Sequence, residues 1–282
     1  MSSHRPLHQI RFHALPLAGE HLVRRNPVVY APSDSVLAQR ARQSVRRPGT
    51  EGIVVGDTRS NLRYARNKAR LVADLLGIQP LIQEAAARAA ILDAPSTRSD
   101  LRVVHIACHG YFDPDNAMVS GIVTARDDAS PGGLAVLRAQ DSLNRTLNVN
   151  LITFSACESG MSVRRAGDEL MGCSRSCWWQ APPACSSACG RWMNLSTSIL
   201  MEALYAACLR DGLSKAHALQ RAQCHVMDLS ADALRHIYHA RTDYLPERDL
   251  VPVSQPVRPP APAGPLASPF HLASFNLIGD WR

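Results

Sequence analysis

No stretch of this chain approaches the roughly 18 apolar residues that a membrane-spanning helix needs, so no helical membrane segment is expected. The amino terminus, MSSHRPLHQIRFHALPLAGEH, has neither a continuous apolar core nor a small-residue cleavage site. It does not read as a secretory signal. There is no G-x-S-x-G, no glycine-rich phosphate loop and no H-E-x-x-H, which argues against serine hydrolase, nucleotide-binding and zinc-protease chemistry. No internal repeat is visible. The net charge is +7, but no basic groove studded with aromatics accompanies it. A solvated basic face is expected, not a nucleic-acid partner. Eight cysteines in 282 residues fall short of the dense disulfide framework of small secreted chains. A reducing, cytoplasmic setting is the better assumption.

Two short apolar runs carry the chemistry. RVVHIACHG, residues 102–110, stops at His109 and Gly110, and LITFSACESG, residues 151–160, stops at Cys157. Each is β-branched, four to six residues long, and followed by small or polar residues. That is how a buried parallel strand ending in a loop reads. In an open α/β sheet the working residues sit just beyond the carboxyl ends of the strands. Two such strands side by side would bring an imidazole and a thiol to one rim. A thiol is a poor nucleophile until deprotonated, and a nearby histidine supplies the base. The plainer reading of Cys157 is a small buried hydrophobe at a strand end. His105, on the same strand as His109, is the rival base but reads as a core or edge histidine. Cys108 alternates to the other face and reads as packing.

The rest of the chain alternates strands with helices. Short strands are expected at 27–30, 52–56, 78–83 and 118–124. A helix is expected at 33–41, and another capped by Asn61 with apolar residues at Leu62, Ala65, Ala69, Val72, Ala73 and Leu76, closed by Gly77. Further helices are expected over 84–93, 137–143, 195–210, 214–227 and 231–241. A proline-rich loop covers 252–269, and a last strand covers 273–278. This alternation implies an α/β fold with a mainly parallel sheet and helices on both faces. Residues 1–26 read as a polar, poorly ordered leader and residues 27–282 as one domain.

The two runs, in order with VVYAPSDSV (28–36), GIVVGD (52–57), GDEL (167–170), LSTSILMEALYAACLRDGLSKAHALQRAQ (195–223) and SFNLIGDWR (274–282), resemble the CHAT domain of the caspase, separase and gingipain group of cysteine peptidases. His109 precedes Cys157 by 48 residues, close to the spacing of about 50 noted for caspases. The resemblance implies a caspase-like sheet and a cysteine endopeptidase acting on protein or peptide substrates. His109 would be the base and Cys157 the nucleophile. The N–H groups of Gly110 and Cys157 would form the oxyanion hole. No cofactor or metal is implied. A regulatory or repeat-containing protein partner fits the family, although no tetratricopeptide array is present here. A third orienting acid is not evident. Asp113, Glu158, Asp168 and Glu169 lie near the dyad in sequence, as substrate-cleft candidates or as plain solvated carboxylates. The competing reading is an inactive CHAT-like signalling or interaction module.

Residues 173–194, CSRSCWWQAPPACSSACGRWMN, break the pattern. They hold four of the eight cysteines and three of the four tryptophans. Cys173, Cys177, Cys185 and Cys189 do not have a common zinc spacing. The family pattern here is a helix followed by a strand of the form AGA-x-SVV-x-SLW-x-V-x-D. Reading each codon one base earlier turns Trp178–Trp179 into Val, Trp179–Gln180 into Ala and Trp192–Met193 into Asp. The segment can then spell LSQLLVAGAASVLVGLWAVDE, with both flanks already in register. A pair of compensating frame errors is therefore expected, against the alternative of a genuine Cys/Trp-rich insertion. The written CSSACG would stand where a buried VLVGLW strand belongs.

Overall fold

The computed structural model describes residues 10–31, 35, 38, 49–97, 101–111, 113, 115–116, 118–125, 135–142, 149–155, 163–165, 169–171, 184–187, 194–240 and 275–282. Its strands are β1 (Pro16–Leu17), β2 (Glu20–His21), β3 (Val29–Tyr30), β4 (Glu51–Gly56), β5 (Leu81–Ile82), β6 (Leu101–Ala107), β7 (Gly110–Tyr111), β8 (Gly121–Val123), β9 (Val136–Arg138), β10 (Val149–Phe154), β11 (Val163–Arg165), β12 (Glu169–Met171), β13 (Ala184–Ser187) and β14 (Leu277–Ile278). Its α-helices are α1 (Leu22–Arg25), α2 (Arg63–Leu76), α3 (Arg88–Thr97), α4 (Ala139–Ser142), α5 (Asn194–Leu209), α6 (Lys215–Asp228) and α7 (Ala231–Ala240).

Seven strands form the main sheet in the order β3-β14-β13-β10-β6-β4-β5. The run β13, β10, β6, β4, β5 is parallel throughout, and β14 meets β13 antiparallel. The middle strands are apolar on both faces because both faces are covered. Val54, Val103 and Leu151 pack with α2, α5 and α6. Ile53, Val55, Val104, Ile106, Ile152 and Phe154 pack on the opposite side with Ile91 of α3 and Ile122 of β8. Period-2 alternation thus feeds two cores, not one core and solvent. Each fully buried valine or isoleucine contributes roughly 1.5–3 kcal/mol.

Helix α2 follows from its sequence. Ala65, Ala69, Val72 and Ala73 are buried on one stripe, at the i, i+4, i+7, i+8 spacing of an amphipathic helix. Gly77, at φ 68°, ends it. The N–H of Ile78 donates to the Ala73 carbonyl at 3.0 Å, and that of Gly77 to Asp74 at 3.2 Å, which is how a left-handed residue closes a helix. The approach of β4 to this helix depends on Gly56. A Cβ there would sit 2.4 Å from the Ala69 Cβ and 2.8 Å from the Ala65 carbonyl oxygen.

Three expectations are corrected. The helix expected over 137–143 begins as β9, paired antiparallel with β8, and only Ala139–Ser142 are helical. Gly121 makes that pairing close, because a Cβ on it would lie 2.0 Å from the Leu137 carbonyl oxygen. The helix expected over 84–93 is a 3-10 turn at Gln83–Ala85 followed by α3. Asn61 does not cap α2. The N-cap is Leu62 with no side-chain cap, and the Leu62 N–H is taken by Asp57.

The described part of the polar leader, residues 10–26, contains the β1–β2 hairpin and α1. Val23 is fully buried beside Met227 of α6. Its carbonyl accepts from Gln220 Nε2 at 2.8 Å, and Arg24 pairs with Asp228 at 2.5 Å. The expected helix at 33–41 and the proline-rich loop at 252–269 fall largely or wholly outside the described residues. No described helix is long and apolar enough to cross a membrane.

Candidate active site

The carboxyl ends of β4, β6 and β10 lie side by side, and the candidate residues follow from what comes next in each strand. Strands β6 and β10 run parallel with Ile106 opposite Phe154. The Ser155 N–H donates to the Ile106 carbonyl at 2.7 Å, which carries the pairing one residue past the strand. On the other side of β6, the Asp57 N–H donates to the Ala107 carbonyl at 3.0 Å.

His109 emerges two residues beyond β6 and is half-buried. Its ring Nε2 lies 2.9 Å from Asn61 Oδ1. Its carbonyl accepts the Val123 N–H at 2.9 Å. In a trans peptide the carbonyl and the following N–H point in opposite directions. The Gly110 N–H is therefore turned away from β8. Asp113 sits in the turn after β7. Its Oδ1 accepts the N–H groups of Asp115 at 2.9 Å and Asn116 at 2.8 Å, and its own N–H donates to Ser120 Oγ. One carboxylate oxygen is thus occupied in holding that turn. Cys157, Glu158 and Asp168 lie outside the described residues, and so do most of residues 173–194. Within that segment the backbone of β13 pairs in parallel with β10, Cys185 opposite Ile152.

Beneath the rim lies a buried polar layer. His105 is completely buried. Its Nδ1 is 3.0 Å from the Tyr205 hydroxyl, which donates to Thr153 Oγ1 at 2.8 Å. With that hydroxyl proton committed to Thr153, the His105 Nδ1–H donates to the Tyr205 oxygen. Nε2 is then left as a lone pair with no partner among the described residues. Burial, assisted by the Lys68 charge, lowers the His105 pKa to about 3. His105 is a neutral core histidine, as its place inside the strand predicts. Cys108 is likewise buried, in the second core. Lys68 of α2 is itself buried. Its ammonium donates to Ser155 Oγ at 2.5 Å and to Thr197 Oγ1 of α5 at 3.4 Å.

A family model described as the CHAT domain matches residues 1–280. The chain belongs to the CHAT domain family. The mainly parallel α/β sheet with helices on both faces is that of the expected fold class. Among solved structures, the Arg-specific cysteine proteinase gingipain R is similar at 12% identity with a TM-score of 0.47. The match covers 89% of this chain and 53% of that one, so the chain spans about half the length of that proteinase. No curated protein matches the sequence.

For this CHAT domain, sequence reasoning missed Asn61, Asp57, Arg66, Lys68 and Ser155. Asn61 has the signature of a helix cap, and nothing local distinguishes a cap from a ligand of a distant imidazole. Lys68 lies on the apolar stripe of α2, where its buried ammonium could have been noticed as an intruding charge. Among the described residues no group of three or more His, Cys, Asp or Glu has the arrangement of a metal site.

Proposed function

We propose that this CHAT domain is a cysteine endopeptidase in which His109 and Cys157 form the dyad. The observation that supports it is the parallel pairing of β6 with β10, in register up to Ile106 opposite Phe154. His109 stands two residues past the last residue of β6, Ala107, and Cys157 two residues past Ser155. In this reading the His109 imidazole takes the Cys157 thiol proton and the thiolate adds to a peptide carbonyl. The Gly110 and Cys157 N–H groups hold the oxyanion. Such donors contribute roughly 2.7–4 kcal/mol each. The imidazolium then protonates the leaving amine, and water releases the acyl group with His109 again as base. Asp113, Glu158 and Asp168 remain candidates for lining the substrate cleft. The substrate is a protein or peptide, and a regulatory or repeat-containing partner and a cytoplasmic location belong to the same reading.

One observation favours a second reading, an inactive signalling or interaction module. Strand β13 lies between β10 and β14 inside the sheet, yet its residues are Ala-Cys-Ser-Ser. Buried parallel strands are ordinarily rich in Val, Ile and Leu.

An electrophilic thiol probe with peptide mass mapping separates the two. Cys157 should label first. Burial pushes the Cys208 thiol up to about 11 and raises that of Cys224, and Cys108 is buried. These three make poor competitors. His109→Ala should slow Cys157 labelling near neutral pH. Labelling that follows exposure alone, with no response to His109→Ala, would leave the inactive module as the better reading.

A further inference from the structure

The geometry points to Asn61 as the positioning residue of His109. This rests on the dyad reading above. The amide oxygen of Asn61 lies 2.9 Å from His109 Nε2, and a carbonyl oxygen can only accept. The ring must therefore present N–H at Nε2, and its basic lone pair is left on Nδ1. A base whose other nitrogen is held by a third group is the general arrangement of an activated nucleophile pair. Here the third group is an amide and not an acid, and it comes from the loop after β4.

That loop is built to hold Asn61 still. Asp57 is completely buried at φ 47°, and Ser60 stands at φ 59°. Two non-glycine residues in the left-handed region within four positions carry strain that the surroundings must impose. Asp57 supplies those surroundings. Its N–H is bonded to β6 through Ala107, and its Oδ1 accepts the Leu62 N–H at 2.7 Å. Its Oδ2 accepts from Arg66 Nε at 2.8 Å and Nη2 at 2.5 Å. The Leu62 N–H is thereby satisfied, and the Asn61 amide oxygen faces His109. The other partner is tied to the same frame. Thr58 Oγ1 donates to the Val123 carbonyl at 2.6 Å, and the Val123 N–H donates to the His109 carbonyl. Asn61 and His109 are thus fixed relative to one another from both sides of one residue of β8.

The test combines histidine ring ¹⁵N NMR with the rate of thiol-probe capture at Cys157, on wild type, Asn61→Ala, Asn61→Asp and His109→Ala. The His109 ring signals are assigned by their disappearance in His109→Ala. Wild type and Asn61→Asp should hold a single Nε2–H tautomer in the neutral ring. Asn61→Ala should give a mixture and slow capture about 3- to 10-fold, the scale of one lost hydrogen bond. Asn61→Asp, which keeps the acceptor, should restore capture. Asn61 is exposed, so none of these changes threatens the core. An Nδ1–H tautomer in wild type would mean that the amide nitrogen faces the ring, and would overturn the proposal. So would ring signals and capture rates that Asn61→Ala leaves unchanged. If His109→Ala leaves capture unaffected while the tautomer still responds to Asn61, the dyad fails and the Asn61 contact stands.

Discussion

Acid should destabilise this domain through one buried residue, His105. In the unfolded chain its imidazole titrates near ~6.5. In the folded protein burial, and secondarily the Lys68 ammonium, lowers its pKa to about 3. Above pH ~6.5 both states are neutral and His105 adds no pH dependence. Below it the unfolded chain takes up a proton that the folded chain refuses, so stability falls as pH falls. The slope is about 1.4 kcal/mol per pH unit. It sums to about 2 kcal/mol between pH 6.5 and 5, and to roughly 4–5 kcal/mol by the folded-state pKa. Against a typical domain stability of about 5–15 kcal/mol, that is a large share. The perturbation is His105→Asn, whose amide can replace Nδ1 at the Tyr205 hydroxyl but does not titrate. Urea unfolding of both proteins, followed by tryptophan fluorescence from pH 7.5 to 4.5, gives the two curves. His105→Asn should start lower, because it leaves a small void, and lose about 2 kcal/mol less than wild type between pH 6.5 and 5. Carboxylate contributions are common to both and cancel in the difference. Parallel curves would refute the assignment of a neutral buried imidazole.

Gly56→Ala should cost roughly 1–3 kcal/mol in the same unfolding assay. The added carbon would meet the Ala69 Cβ and the Ala65 backbone, neither of which can swing aside. Replacing residues 174–194 with the in-register reading LSQLLVAGAASVLVGLWAVDE should raise the melting temperature by roughly 12 °C or more. That follows from four restored apolar side chains at about 1.5–3 kcal/mol each and about 2–4 °C per kcal/mol. Resequencing the gene over codons 170–196 should find one base gained and one lost. An unchanged sequence with flat stability would mean a genuine insertion.

The sheet was legible because its middle strands are continuous β-branched runs, which local sequence reports well. Val103, Val104, Leu151 and Ile152 need no partner to be read as buried. Helix α2 was legible for the complementary reason, its 3.6-residue stripe and closing glycine. The short strands were not. Leu137 and Arg138 become β9 only because Gly121 lets β8 approach, a contact between residues 16 positions apart that no window contains. The same limit separates the two halves of the site. His109 announces itself by ending an apolar run. Asn61 does not, because its local context asks for a helix cap. The helix N-cap is instead Leu62, and the Asn61 amide oxygen faces the His109 ring. A local rule broken without local reason is where a functional position is to be sought.

The polar layer under the rim has the same logic. A sheet buried on both faces gains nothing in stability from Lys68, His105, Thr153 or Ser155, since buried polar groups at best recover the hydration they lose. What they gain is position. Ser155 is held by its N–H to β6 and by its hydroxyl to Lys68, so the chain is pinned at two points just before Cys157. Lys68 reaches across to Thr197 and ties that point to α5 as well. On the other arm, Ala107 is held to Asp57, and the His109 carbonyl to Val123. Both strands therefore leave the sheet on fixed stems. A site that must hold a base and a nucleophile within hydrogen-bond reach needs such stems, because displacement by an ångström costs on the order of a hundredfold in rate. A module with no chemistry would have no use for them, and an apolar residue at 68 would serve its core better. Lys68→Met is then the substitution that distinguishes the two. It should hold or raise stability while slowing Cys157 capture, and a variant that loses stability with capture unchanged would make the layer structural.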